Sequence, residues 1–370
     1  MNKIQNKSKI VVAMSGGVDS SVAAALLVEQ GYEVIGITIK TYNYEDVGGN
    51  IGNESSCCSL DGINDARMVA AKLGIPHYVL DFSKQFKKAV IDNFISEYVA
   101  GRTPNPCVVC NRKIKWEELI RKSVALGADY IATGHFAKIR YDEEVKRFVL
   151  SKGKDTEKDQ SYALWGLTQE LLSRTMFPLA ELTKPEVREL AKKFGLKTAN
   201  KAESFEICFI PDDNYERFLK EQNPELEKQV SGGDMLFDGK VVANHRGIPF
   251  YTIGQRKRLG VAFGEPVYVT KIDSDTNTIT LGRDADLMHR VLIAKSVNLI
   301  SITDLKNGAS ITAKVRYKDS GSSAFAKQVD SETIQVIFDE PKRAITPGQS
   351  VVMYKGDDVV GGGVIDHVIT

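Results

Sequence analysis

Disulfide-forming density is missing from this chain. Five cysteines in 370 residues do not make a framework of bridges. In a reducing compartment, thiols at this density are buried hydrophobes, metal ligands or nucleophiles. Long apolar runs are missing as well. No stretch could span a bilayer, and the opening MNKIQNKSKI is polar and basic, without the apolar centre of a secretory signal. The expectation is a cytoplasmic protein with no membrane partner. A surplus of one charge is absent too: 49 Lys and Arg against 48 Asp and Glu leave +1, so nucleic-acid binding would need a local basic face. No repeat of fixed period and no low-complexity tract occurs. Cys107 and Cys110 are spaced like half a zinc site, but no second Cys-x-x-Cys or paired histidine follows. The histidines at 77, 135, 245, 289 and 367 are scattered, which argues against structural zinc.

What remains is ordinary globular composition, 42% hydrophobic and 26% charged, in a chain long enough for two or three domains. The first half alternates short apolar runs with helical patterns. KIVVAMS (9–15) reads as a buried strand, VDSSVAAALLVEQG (18–31) as a helix, YEVIGITIK (32–40) as the next strand and DGINDARMVAAKLG (61–74) as an amphipathic helix. HYVLDF (77–82), a helix from about Lys84 to Ala100, a helix near 112–126 and DYIATGH (129–135) continue the series. That alternation implies a doubly wound α/β domain with a parallel sheet. TKPEVRELAKKFGL (183–196) is a helix with a Thr183–Glu186 capping box, Pro185 in its first turn and Gly195 as its stop. From about 231 onward the strands are short and β-branched, with turns such as FDGK and DSDTNT, the texture of one or two small barrels or sandwiches. The expected domains are 1–210, 211–285 and 286–370. The loop 41–62, holding the adjacent Cys57 and Cys58, is long and rich in Gly, Asn and Ser.

VAMSGGVDSS (12–21) is strand, then Ser-Gly-Gly-x-Asp-Ser, then helix. Glycines let backbone N–H groups approach an anion, the helix N-terminus adds a dipole and free donors, and Ser15, Ser20 and Ser21 add hydroxyls. The string is neither a Walker A loop nor Gly-x-Gly-x-x-Gly. The bland reading is a glycine turn that only joins strand to helix.

SGGVDSS resembles the pyrophosphate loop of the N-type ATP pyrophosphatases, which split ATP between the α and β phosphates and leave an adenylated substrate. The resemblance implies that Ser15, Gly16, Gly17, Val18, Asp19 and Ser20 hold pyrophosphate with Mg²⁺. It places Ala13 and Met14 against the nucleotide, Ile39 beside the adenine through its backbone, and Gly134 of ATGHFAK (132–138) in contact with ATP. Three further strings, GRTPNPCVVCNRKIKW (101–116), KDQSYALWGL (158–167) and ESFEICFIPDDNYERFL (203–219), resemble the tRNA-uridine 2-sulfurtransferases. So do FYTIGQRKRLG (250–260) and RAITPGQSVVMYKGDDVVGGGVI (343–365). The match runs through most of the chain. It implies ATP-dependent thiolation at C2 of the wobble uridine of tRNA, by a monomer served by a persulfide-donating protein such as a cysteine desulfurase or a sulfur relay protein.

The chemistry explains two separated thiols. Carbonyl O2 of uracil leaves poorly, adenylation makes it a good leaving group, and sulfur must then arrive as a nucleophile. By resemblance Cys208 carries the persulfide, and Cys110 is its catalytic partner in a transient disulfide. Arg112, Lys113 and Lys115 are placed either to favour the Cys110 thiolate or to meet RNA phosphates. The bland reading of Cys208, flanked by Ile207, Phe209 and Ile210, is a core thiol. Cys107 stands where the family usually has Asp. It is open to three readings: proton transfer, a resolving thiol, or ligation of an iron–sulfur cluster together with Cys110 and Cys208.

The resemblance sets Asn105, Pro106 and Cys107 against the flipped uridine, with His135 near the base and Lys158, Asp159 and Gln160 along the tRNA. Arg316, Tyr317 and Gln349 are further tRNA contacts. NHRGIPFYTIGQRKRLG (244–260) interleaves His245, Arg246, Arg256, Lys257 and Arg258 with Phe250 and Tyr251, the composition of an RNA face. Arg258 stands where the family has Gly. Two rival readings use the same chain. A non-catalytic RNA-binding protein would give no ATP–pyrophosphate exchange, and an ATP pyrophosphatase acting on a small metabolite would need an ammonia source for which no glutaminase domain is evident.

Overall fold

The alternating pattern of the first half folds as its periodicity implies. The computed structural model describes residues 8–42, 60–201, 207–210, 212–226, 230 and 232–369. Cys57, Cys58 and most of the 41–62 loop lie outside the described residues. The chain divides into two compact units. One comprises Met1–Val90, Cys107–Asp213 and Asp357–Val359, and the other Ile91–Pro106, Asn214–Gly356 and Val360–Thr370.

In the first unit, strands β1 (Lys9–Ala13), β2 (Glu33–Lys40), β3 (His77–Asp81) and β4 (Tyr130–Ala132) precede a hairpin of β5 (Ala137–Asp142) and β6 (Arg147–Lys152), and β7 (Thr175–Met176) follows. Five of them form a parallel sheet in the order β3-β2-β1-β4-β7. The chain winds outward from β1 to β3, then returns to the other side of β1 for β4. Right-handed crossovers therefore place helices on both faces, and the switch point lies between β1 and β4. Helices α1 (Val18–Glu29) and α2 (Leu60–Leu73) turn their small and branched residues inward. Val22, Ala23, Ala66 and Val69 join Ile10 and Val12 in one core with Leu179, Val187 and Ala191. The sheet is a continuous apolar run in β1 because both of its faces are covered.

The helix expected near 112–126 begins earlier. Pro106–Cys110 is α-helical, Asn111–Glu118 follows as a π-helical stretch, and Leu119–Ala125 resumes the α form. Pro106 suits the first helical position, where its missing N–H leaves no bond unmade. The β5–β6 hairpin pairs Ala137–Asp142 with Arg147–Lys152 around a mostly charged turn, with Lys146 at φ 51°. Its Ser151 hydroxyl donates to Asp358, 2.6 Å away.

The second unit is β-rich, as its texture implies. Strands β8 (Asp234–Phe237), β9 (Lys240–Asn244), β10 (Tyr268–Asp273) and β11 (Thr278–Gly282) form a sheet ordered β10-β11-β8-β9. Strands β12 (Met288–Leu299), β13 (Ala309–Lys314), β14 (Ser322–Gln328), β15 (Ile334–Arg343), β16 (Ser350–Lys355) and β17 (Asp358–Ile369) run in the order β12-β15-β14-β13-β16-β17. β12 also pairs with β17, which closes the sheet into a barrel. Closure removes the free edges, and Leu292, Ala313, Val336, Phe338 and Met353 fill the interior. The FDGK turn between β8 and β9 has Asp238 and Gly239 both at positive φ, the hairpin geometry that a right-twisted ribbon favours.

Candidate active site

The switch point carries the glycine loop. β1 ends at Ala13, and Ser15–Gly17 lead into α1. Gly16 is at φ +74°, and a Cβ there would stand 2.1 Å from the carbonyl oxygen of Gly62 in α2. No side chain fits, so the loop lies directly under the start of α2. Ser15 N donates to Ser20 Oγ at 3.2 Å, and the hydroxyls of Ser20 and Ser21 reach Gly17 O at 3.2 and 2.8 Å. These bonds shape the loop from within, while Ser15 is exposed and Ser20 buried. Gly134, just past β4, approaches from the other side of the switch point. A Cβ on it would sit 2.6 Å from Ser20 N and from the Asp19 carbonyl carbon. The sequence-selected Gly134 and the loop therefore share one cradle at the carboxyl ends of adjacent strands, where open α/β sheets take ligands.

Met14 is placed differently from a nucleotide-facing side chain. It is 2% exposed, its N–H bonds Ile37 O, and its carbonyl accepts the Thr38 hydroxyl at 2.7 Å. Its sulfur packs where a side chain on Gly36 would be. Thr38 also meets His77 Nε2 at 2.9 Å, and burial, then Arg67, lower the His77 pKa, so a neutral imidazole backs the loop. Ala13 and Ile39 are half-buried at the ends of β1 and β2.

One charged residue escaped the sequence reading. Lys184 was legible only as the first residue of a capped helix. Its ammonium meets Asp19 Oδ1 and Oδ2 at 2.7 and 2.8 Å, with the Lys184 side chain 9% and the Asp19 side chain 32% exposed. The Lys184 N–H donates to Asp155 at 2.8 Å, and its ammonium lies 5.7 Å over the Phe136 ring. The cap that sets this helix is present: Glu186 accepts the Thr183 N–H at 2.6 Å. Buried lysines are rare without a partner, and no motif announced this pair because its members lie 165 residues apart.

The cysteines fall at three depths. Cys107 is exposed, Cys110 is buried and Cys208 is half-buried. Cys107 and Cys110 sit one helical turn apart on Pro106–Cys110. Among the described residues no three His, Cys, Asp or Glu side chains gather into a group that could hold a metal ion. Cys107 faces solvent while Cys110 is packed away on the same short helix. Arg112 and Lys113 meet Glu117 at 3.3 and 3.0 Å, and Lys115 lies near His135. Cys208 is tethered rather than embedded. Its carbonyl accepts the phenol of Tyr42 at 2.6 Å, and the next residue, Phe209, packs edge-on against Phe86 at 5.6 Å.

The expected RNA contacts divide. His135 lies between Trp116 and Phe177, with ring centroids 5.5 and 6.2 Å away, and its Nδ1 meets Thr133 Oγ1 at 2.7 Å. Burial, then Lys115, hold its pKa well below the usual histidine value, so it is neutral. Asp159 and Gln160 are tied into the fold by internal hydrogen bonds. Asp159 is 8% exposed and binds the N–H and hydroxyl of Ser161, capping the turn Ser161–Leu164. Gln160 Oε1 accepts the Phe136 N–H at 3.0 Å. Lys158 is half-buried beside them.

In the second unit, Asn105 is half-buried and Pro106 buried. Gln349 Nε2 donates to Thr103 O and Pro104 O at 3.1 and 3.0 Å. Arg316 and Tyr317 are exposed on a loop that Asp319 holds by accepting the N–H groups of Val315 and Gly321. The basic-aromatic stretch separates by type. Phe250, Tyr251 and His245 are core, Arg246 pairs with Glu216, and Arg256, Lys257 and Arg258 are exposed. Arg258 stands at φ +62°, the left-handed conformation that explains a glycine at this position.

Among the described residues no helix is long and apolar enough to cross a membrane. Three family models match the chain: the tRNA methyl transferase HUP domain over residues 8–212, the tRNA methyl transferase PRC-barrel domain over 216–283, and the aminomethyltransferase beta-barrel domain over 289–365. The tRNA-specific 2-thiouridylase MnmA of Salinibacter ruber is 53% identical over 99% of this chain and 96% of its own. That of Amoebophilus asiaticus is 52% identical over 96% of this chain and 95% of its own. Among solved structures, a 4-thiouridine synthetase–RNA complex with bound ATP aligns at a TM-score of 0.37 and 17% identity, covering 59% of this chain and 51% of that one. The chain belongs to the tRNA-specific 2-thiouridylase family.

Proposed function

We propose that this protein uses ATP to replace O2 of the wobble uridine of tRNA with sulfur. The observation that carries the reading is near-complete alignment, 53% identity over 99% of the chain, with a protein named for that activity. The glycine cradle supports it. Gly16 and Gly134 leave no room for side chains, as a loop that wraps phosphates at a helix N-terminus requires.

Ser15, Gly16, Gly17, Val18, Asp19 and Ser20 receive the pyrophosphate. Ala13, Met14, Ile39 and Gly134 border the nucleotide, Met14 through packing behind the loop. Asp19 supplies one carboxylate, a number that suits Mg²⁺ held chiefly through substrate phosphates. Uracil O2 attacks the α-phosphorus, pyrophosphate departs, and the base loses its N3 proton. The outer sulfur of a Cys208 persulfide then adds to C2 and AMP leaves. Cys110 attacks Sγ of Cys208, which breaks the sulfur–sulfur bond, leaves sulfur on the base and joins the two cysteines in a disulfide that an external dithiol reduces. Cys107 has three roles open to it: proton transfer, the resolving thiol, or ligation of an iron–sulfur cluster with Cys110 and Cys208.

Asn105 and Pro106 border the target base and His135 packs nearby as a neutral ring. Lys158, Asp159, Gln160, Arg316, Tyr317 and Gln349 contact the tRNA. A cytoplasmic monomer, three domains at 1–210, 211–285 and 286–370, and a persulfide-donating protein partner complete the proposal. The test is nucleoside mass spectrometry of unmodified tRNA incubated with the protein, ATP and a persulfide donor. 2-Thiouridine appears with the wild type and is lost with Cys110→Ser and with Cys208→Ser. A wild-type rate in either variant sinks the mechanism.

A further inference from the structure

Residues 101–104 lead directly to Asn105, and they are gripped on every side within the second unit. Thr103 donates its N–H to Pro347 O at 2.8 Å and receives Gln349 Nε2 on its carbonyl at 3.1 Å. The same amide nitrogen reaches Pro104 O at 3.0 Å. Gly348, between these partners, is at φ +91°, and a Cβ there would fall 2.7 Å from Thr103 O and 2.9 Å from Thr103 N. The turn is itself fastened to β17 by Gly348 N to Ile365 O and Ile365 N to Gln349 O, each 2.8 Å. Arg102 adds bonds to Glu97 and to the carbonyls of Ile365 and Asp366. Gly101, at φ +72°, lies against Ile272 and Ile248.

Surface loops ordinarily leave backbone groups to water. Here both backbone groups of Thr103 are taken by one turn about 246 residues away in sequence, and a glycine is required for the approach. We propose that the turn Thr346–Gln349 is a positioning device for the loop that presents Asn105, with the Gln349 amide nitrogen as its clamp. Pro104 and Pro106 already stiffen the backbone on either side of Asn105. Fixing Thr103 and Pro104 therefore presets the side chain whose donor and acceptor would meet a uracil edge. Misplacement by about 1 Å at such a group costs on the order of a hundredfold in rate. The inference rests on the proposed thiolation.

Gly348→Ala and Gln349→Leu test it, the first by steric exclusion and the second by removing the donor. Single-turnover thiolation at saturating tRNA falls at least about tenfold in both. Hydrogen exchange at the Thr103 amide speeds up in both, and in Gly348→Ala the tRNA Kd and its salt dependence stay within twofold. If Gln349→Leu weakens tRNA binding but leaves the saturated rate intact, Gln349 acts as an RNA contact alone and the proposal falls. It falls as well if neither rate nor exchange moves. Should Gly348→Ala not fold, as melting would show, Gln349→Leu carries the test alone. A wild type that makes no 2-thiouridine would refute the thiolation reading, while the exchange measurement would still judge the clamp.

Discussion

Replacing Lys184 by Met leaves the Asp19 carboxylate facing the phosphate cradle without its cation. A pair of unit charges about 4 Å apart at an effective dielectric of about 20 interacts by roughly 4 kcal/mol. Breaking a buried pair from one side usually costs about 3–5 kcal/mol. Asp19 is 32% exposed and can recover some hydration, so the expected loss is about 2–3 kcal/mol. The assay is built into the sequence. The chain has two tryptophans, and both Trp116 and Trp165 are buried in the first unit. Their fluorescence in a urea titration reports that unit alone. Asp19→Asn with Lys184→Met completes a double-mutant cycle, and the double variant should recover about 2 kcal/mol relative to the sum of the singles. Additivity within about 0.5 kcal/mol would refute the claim that the pair acts as a unit.

Arg258→Gly relieves a left-handed backbone and should raise stability by about 0.5–1 kcal/mol in calorimetry while lowering tRNA affinity and reducing the salt slope by about one charge. Gly134→Ala drives a Cβ into the Asp19–Ser20 backbone. It should destabilise the first unit by about 1–3 kcal/mol by tryptophan fluorescence, and ATP binding by calorimetry should weaken at least about tenfold. The Glu186 carboxyl is lowered from 4.5 to about 2, first by the Thr183 N–H, then by Lys154 and the Thr183 hydroxyl. A depressed folded-state pKa contributes stability above pH 4.5 that is lost as pH falls towards 2. Glu186→Gln should therefore lower the melting temperature at neutral pH, with the gap to wild type closing across that window.

Periodicity and turn chemistry determined the architecture. Apolar runs such as KIVVA and β-branched runs in the C-terminal half fold as strands, and Thr183, Glu186 and Gly195 bound their helix as local capping rules require. The glycine loop was equally legible, since backbone approach to an anion is a local property of Gly16, Gly17 and the helix that follows. The helix through Cys107 and Cys110 begins before the span its periodicity implies, because Pro106, a helix starter, lies inside a string with the composition of a loop. Contacts between distant segments were invisible. Lys184 reaches Asp19, Tyr42 reaches the Cys208 carbonyl, and Gln349 reaches Thr103 and Pro104. Composition also could not say that Asp159 caps a turn, or that Phe250 and Tyr251 are core while Arg256, Lys257 and Arg258 stay exposed. A residue's type and spacing determine what it can bond, but which partner it finds across a hundred residues depends on how the sheet and barrels close. That was decided only by the tertiary structure.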